Sequence, residues 1–165
     1  MRILLIVLSL PLSMMLHELG HLAAARLCGV GASELGMGFG PRLFAFEIKK
    51  FRVSFRALPL GSFIRLDGAS LSRRPLAERL FVHSAGALVN LLLAAVTFGT
   101  FFGYINLLLG LTNLLPIYQH DGWKCGVALM RALLRKESRP VEWVFTFSGC
   151  FASIAMVYYL VQHLF

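Results

Sequence analysis

ILLIVLSLPLSMMLHELGHLAAARL, residues 3–27, decides how the rest of this chain is read. Twenty-five predominantly apolar residues would make a helix of about 37 Å at ~1.5 Å per residue, long enough to cross a hydrocarbon core. His17, Glu18 and His21 lie inside this run. Placing two imidazoles and a carboxylate in an apolar span is costly unless something binds them, so such residues read first as a functional site. His17-Glu18-Leu19-Gly20-His21 is an HExxH motif. On a helix, histidines four apart share one face and can grip a single zinc ion. Glu18 is one step round the helix, where it reaches water at the metal without replacing it, as a general base must. Arg2, the apolar 3–16 stretch and Ala23-Ala24-Ala25 also imitate a secretory signal. Cleavage there would discard the only strongly ionisable cluster in the segment, which argues against that reading.

The composition agrees with a membrane setting. Of 165 residues, 58% are hydrophobic and only 15% charged, with a mean hydropathy of +0.73, too apolar for an ordinary soluble core. The net charge of +8 comes from basic residues scattered between apolar runs, without an RNA-binding or helix-turn-helix pattern, so it suits anionic lipid headgroups and not nucleic acid. Cys28, Cys125 and Cys150 are odd in number and widely spaced, which indicates free thiols and neither a disulfide framework nor a cysteine metal site.

Working outward, the apolar stretch from Leu80 to Ile117 is too long for one span. Gly99 and Gly103 mark a hairpin in it, which predicts helices over about 79–100 and 103–117. A fourth span is expected over 141–165. Between the first two spans, Phe44, Phe46 and Ile48 alternate, and Phe51, Val53 and Phe55 alternate with Arg52, Ser54 and Arg56. That period of two predicts a β-hairpin turning at Lys49-Lys50, followed by a short strand at Phe63–Leu66, within a β-segment over about 34–67. The fold class is therefore an α-helical integral membrane protein: about four transmembrane helices, a small membrane-associated β-hairpin between the first and second, and a single domain over 1–165.

Thirteen of the sixteen Lys and Arg residues lie in two stretches, Arg42–Arg74 and Lys124–Arg139. With four spans these loops share one side, and the positive-inside rule makes it the cytoplasm of a multi-pass plasma-membrane protein with both termini extracytoplasmic.

Two histidines need a third protein ligand and an open position. Asp121, in Asn113-Leu114-Leu115-Pro116-Ile117-Tyr118-Gln119-His120-Asp121-Gly122, is the best candidate. His17 and His21 sit roughly 8–14 Å below the surface marked by Arg26 at ~1.5 Å per residue, and Asp121 follows the third span on that same side. Pro116 should break the helix there and free backbone to line a polar cavity. His120 is also a competent ligand, but adjacent helical positions point about 100° apart, so only one of the two can face the histidines.

HELGH at 17–21, NLLPIYQHDG at 113–122 and SAGALVN at 84–90 together resemble the site-2 protease family of intramembrane zinc metalloproteases. GMGFGPRLF at 36–44 and PLGSFIRLDG at 59–68 resemble the re-entrant β-segment of its bacterial branch. The resemblance covers most of 13–122. It implies one Zn2+ per chain held by His17, His21 and Asp121, with Glu18 catalytic, hydrolysing a peptide bond in or beside a transmembrane segment of a substrate protein. Asn90 and Asn113 are then candidates to hold the substrate backbone or to stabilise the oxyanion, with hydrogen bonding between helices as the alternative for each. His120 becomes a rim residue and His83 is expected to bond another helix. Ala87 departs from a usual proline, Ser62 from a usual glycine, and Gln119-His120 from a more apolar pair. No room is left for the PDZ or nucleotide-sensing domains of many relatives. The rival is a catalytically inactive scaffold that binds transmembrane helices, against which the presence of Glu18 argues; a transporter would need polar residues along a whole pathway.

Overall fold

The computed structural model describes residues 2–134 and 139–164. Among them run α1 (Arg2–Leu27), β1 (Ala32–Ile48), β2 (Phe51–Leu66), α2 (Gly68–Ser72), α3 (Leu76–Val96), α4 (Phe101–Leu114), α5 (Asp121–Leu134) and α6 (Arg139–Leu164). Helix α1 stops where Gly29 adopts a φ of 65°. There Gly29 N–H donates to Arg26 O at 3.1 Å and Val30 N–H to Ala25 O at 2.7 Å, closing carbonyls that the helix end leaves open.

The expected turn at Lys49-Lys50 is present. Both residues are left-handed, with φ of 49° and 68°, which matches the two-residue turn favoured by the twist of paired strands. The sheet is larger than a hairpin, however, because each strand bends. Leu35 pairs with Val53 on one side and Ile64 on the other, while Val53 pairs with Leu35 and Phe46. The segments therefore lie in the order 62–66, 32–37, 51–56, 42–48. Gly38, Gly40 and Gly61, with φ of 92°, 86° and 101°, stand at the bends, in a conformation that disfavours a side chain. The expected strand at Phe63–Leu66 is the last section of β2, and it forms one edge of the sheet.

Helix boundaries shift from the sequence reading for local reasons. Helix α3 begins at Leu76 and ends at Val96, short of 100, because the chain turns at Gly99 with φ 79°. Thr100 then caps α4, its hydroxyl accepting from Gly103 N–H at 3.0 Å. Helix α4 ends at Leu114, not 117, and Leu115 is extended, as the residue before a proline prefers. Its 14 residues make about 21 Å, less than a ~30 Å hydrocarbon core. Residues 121–134, read from their charges as part of a basic loop, form the amphipathic helix α5 with Asp121 and Ala128 buried. Helix α6 starts at Arg139, just before the expected 141, and Phe165 lies outside the described residues.

Among the described residues, Leu76–Val96 is the one helix long and apolar enough to cross a membrane, and Phe101–Leu114 is a shorter apolar helix. Four spans are thus not established by length and composition. Helix α3 is central, packed on α1, α4 and α5. Small residues let α1 and α3 approach: a Cβ added at Gly20 would lie 2.9 Å from Ala85 O, the close contact that small residues permit between helices. Ala24, Ala25, Val30, Leu71, Val82 and Ala85 form a buried cluster, against which Cys28 and Leu66 of β2 pack. A buried polar pair, Asn106 Nδ2 donating to Ser13 Oγ at 2.9 Å, ties α4 to α1.

Candidate metal centre

The two histidines of α1 face α3, four residues apart, and are buried along with Asp121. Each ring is oriented by α3. His17 Nδ1 donates to Asn90 Oδ1 at 3.0 Å, and His21 Nδ1 donates to Val82 O at 2.7 Å. With both Nδ1 atoms engaged in this way, the two rings turn their Nε2 atoms inward. The Nε2 atoms are 3.2 Å apart, and Asp121 Oδ2 lies 3.0 Å from each.

Three acceptors converging in a buried place repel one another unless a cation lies between them. Ligands about 2.0–2.1 Å from a tetrahedral zinc ion would be separated by about 3.3 Å, close to the triangle found here. The donor set, two imidazoles and a carboxylate, is one that zinc accepts. Gly86 completes the cradle: a Cβ there would lie 2.5 Å from His21 Nε2 and 2.6 Å from His17 Nε2. These residues fit a metal ion.

Asp121 reaches the histidines from the first turn of α5, where the positive end of the helix favours a carboxylate. Gly122 allows that turn to sit against the Leu114 and Leu115 carbonyls, where a Cβ would clash. Lys124 Nζ lies 3.0 Å from Asp121 Oδ1, the oxygen turned away from the histidines. His120 points elsewhere, its Nδ1 donating to Thr112 O at 2.9 Å. Of the two neighbours, the structure brings only Asp121 to the histidines.

A cavity of about 470 Å³ opens on this centre, and Glu18 lines it together with His17, His21 and Asp121. The sheet contributes Ser62, Phe63, Ile64 and Leu66, so the 62–66 edge forms one wall. Asn113 also lines the cavity, with Nδ2 donating to Leu109 O at 2.9 Å. Asn90, a candidate either for substrate contact or for hydrogen bonding between helices, is fully buried behind His17, bonds that ring from α3, and is absent from the cavity wall. His83, expected to bond another helix, lines the cavity instead. Cys28 packs on the buried cluster. Cys125 Sγ lies 3.8 Å from Leu80 O, and burial pushes its thiol up to about 11, which disfavours the thiolate a metal needs. The sequence reading missed Gly86 and Lys124. For Lys124, the i, i+3 spacing from Asp121 was the available signal.

A family model described as peptidase family M50 matches residues 5–102, a stretch that contains His17, Glu18, His21 and Asn90 but not Asp121. Two bacterial chains bearing the name "Putative zinc metalloprotease" are similar. The one from Fusobacterium nucleatum is 35% identical over 104 residues, covering 58% of this chain and 31% of its own length. The one from Clostridium acetobutylicum is 34% identical over 105 residues, covering 59% and 31%. A chloroplastic membrane metalloprotease of Arabidopsis thaliana is 37% identical over 90 residues, covering 47% and 20%. The chain thus spans less than a third of the length of these relatives.

Proposed function

The chain belongs to peptidase family M50, and from that premise we propose that it is an intramembrane zinc endopeptidase that cuts within or next to a transmembrane segment of another protein. One observation carries this reading: Glu18 shares a cavity with a triangle of His17, His21 and Asp121 whose sides are 3.0–3.2 Å. The relatives' names, which include zinc, protease and membrane, point the same way.

His17, His21 and Asp121 would hold one zinc ion. Bound there, zinc supplies Lewis acidity toward a carbonyl and lowers the pKa of water. Glu18 takes the proton that the attacking water loses, and returns it to the amine as the C–N bond breaks. Asn90 positions His17 through Nδ1, and Val82 does the same for His21, as outer partners of metal-binding histidines do. Asn113, which lines the wall, would hold substrate backbone through its side-chain carbonyl oxygen. A transmembrane helix must unwind before it can be cut, since its carbonyls are already bonded. The exposed side of the 62–66 strand offers such a stretch a ladder of backbone partners.

Around this centre we read four membrane spans, α1, α3, α4 and α6, in one domain, with the basic segments and the metal centre toward the cytoplasm. Outward-facing Leu92, Val96, Phe98, Leu108 and Phe151 are more than half exposed, a surface suited to lipid. Cysteine labelling at Lys49 and Lys50 from the cytoplasmic side is expected; labelling from outside would reverse the topology.

The deciding experiment purifies the protein, measures zinc, and incubates it with single-span membrane proteins beside Glu18→Gln. One zinc per chain in both forms is expected, with cleavage by the wild type alone. Equal cleavage by Glu18→Gln would remove Glu18 from the chemistry. Binding without cleavage by the zinc-loaded wild type would favour the scaffold.

A further inference from the structure

His83, Gly86 and Asn90 are spaced i, i+3 and i+7 along α3 and therefore share one face. Two of them serve the metal centre directly: Gly86 makes room for both Nε2 atoms, and Asn90 accepts from His17. His83 takes the third place, one turn before Gly86 and next to Val82, whose carbonyl orients His21. Its ring lines the same cavity as Glu18. It is half-buried, and among the described residues it makes no hydrogen bond or ion pair.

The other side-chain nitrogen donors around this wall are engaged or exposed. Asn113 Nδ2 donates to Leu109 O, Lys124 Nζ faces Asp121 Oδ1, and His120 Nδ1 donates to Thr112 O. Gln119 is exposed. A half-buried imidazole with nothing to donate to, beside a centre where negative charge must develop on a carbonyl oxygen, has one clear use.

We propose that His83 is a further catalytic residue, donating a ring N–H to the scissile carbonyl oxygen as charge grows there. This rests on the peptidase reading above. As the water oxygen bonds to the carbonyl carbon, Glu18 takes one water proton and the C=O π pair moves onto the oxygen that His83 hydrogen-bonds. When that pair returns, the C–N bond breaks, and the amine takes the proton from Glu18. His83 keeps its own proton throughout, and the sum is one water added across one peptide bond.

The test compares wild type, His83→Phe and His83→Gln, each purified with zinc. Phe keeps a flat ring without a donor; Gln restores a donor. For His83→Phe, kcat is expected to fall about 100-fold while KM changes by less than about threefold, as for loss of one oxyanion donor. Zinc content should stay at the wild-type value, and His83→Gln should recover part of kcat. Affinity for a phosphinate peptide, whose tetrahedral anion imitates the charged oxygen, should fall in parallel with kcat. Affinity for the uncut peptide, measured on a Glu18→Gln background, should not. Unchanged kcat in His83→Phe, loss of zinc in that variant, or an equal fall in both affinities would each overturn the proposal while leaving the peptidase reading intact. A zinc-loaded wild type that cuts no peptide would overturn both.

Discussion

Gly86 lies so close to His17 that a methyl group on it would sit 2.6 Å from His17 Nε2. The offending atoms belong to buried rings that α3 holds through Asn90 and Val82, so they cannot swing aside. Gly86→Ala is expected to lower zinc affinity by at least about tenfold, the scale seen when partners of metal ligands are disturbed. Gly68→Ala, with nothing within 4 Å of the new methyl, should bind zinc normally. Metal titration of the two purified variants checks this, and equal affinities would mean that the ligands tolerate displacement.

Asp121 and His120 separate cleanly. Asp121→Ala should lose both zinc and cleavage, because it removes the only carboxylate at the triangle. His120→Ala should keep its zinc, losing only the bond to Thr112 O, worth about 1 kcal/mol. Metal analysis giving the reverse pattern would transfer the ligand role to His120.

The edge of the sheet can be tested by proline. In an antiparallel ladder, alternate residues turn N–H toward the partner strand and away from it, so of Phe63 and Ile64 one donates to β1 and the other faces the open side. Proline at the inward position should cost stability. At the outward position it should leave thermal stability and zinc unchanged while slowing cleavage. Full activity in both variants would count against strand addition. Phe55 does not probe this edge, since Met37 and Phe44 flank it on both sides.

Glu34 predicts a pH response in the sheet. It accepts from Ser54 Oγ at 2.8 Å and lies 3.2 Å from Arg65 Nη1. The Ser54 hydrogen bond, with the charges of Arg65, Arg42 and Arg52 behind it, holds the Glu34 carboxyl below its ordinary 4.5. A depressed carboxyl stabilises the fold fully above its unfolded pKa and loses that contribution as pH falls through the lower folded value. Glu34→Gln should therefore be less stable than wild type at pH 7, by about 1.5 kcal/mol, and the gap should close below pH 4.5. Thermal unfolding in detergent at both pH values checks the sign.

The convergence of His17, His21 and Asp121 was largely legible because a metal-binding motif imposes spacing. His17 and His21 stand four positions apart, on one helix face, and Asp121 follows the break at Pro116. The strand alternation from Phe44 to Phe55 and the turn at Lys49-Lys50 were legible for the same reason, a fixed period. What escaped was set by contacts between segments remote in sequence. Nothing local says that 32–37 pairs with two neighbours at once, since that depends on bends at Gly38, Gly40 and Gly61. Asn90 reads equally well as a substrate contact or a partner of another helix until His17 is seen against it. Helix α5 was hidden because counting Lys and Arg marks a side of the membrane without distinguishing loop from amphipathic helix.

Asp121 stands 100 positions after His21 in the chain, and this has a bearing on biosynthesis. A ribosome making this protein releases the HExxH helix first and the carboxylate only after α3 and α4 have been completed. Until α5 emerges and docks, the two imidazoles lack their third partner. The early helices of the nascent polypeptide therefore exist for a time without the complete triangle of His17, His21 and Asp121.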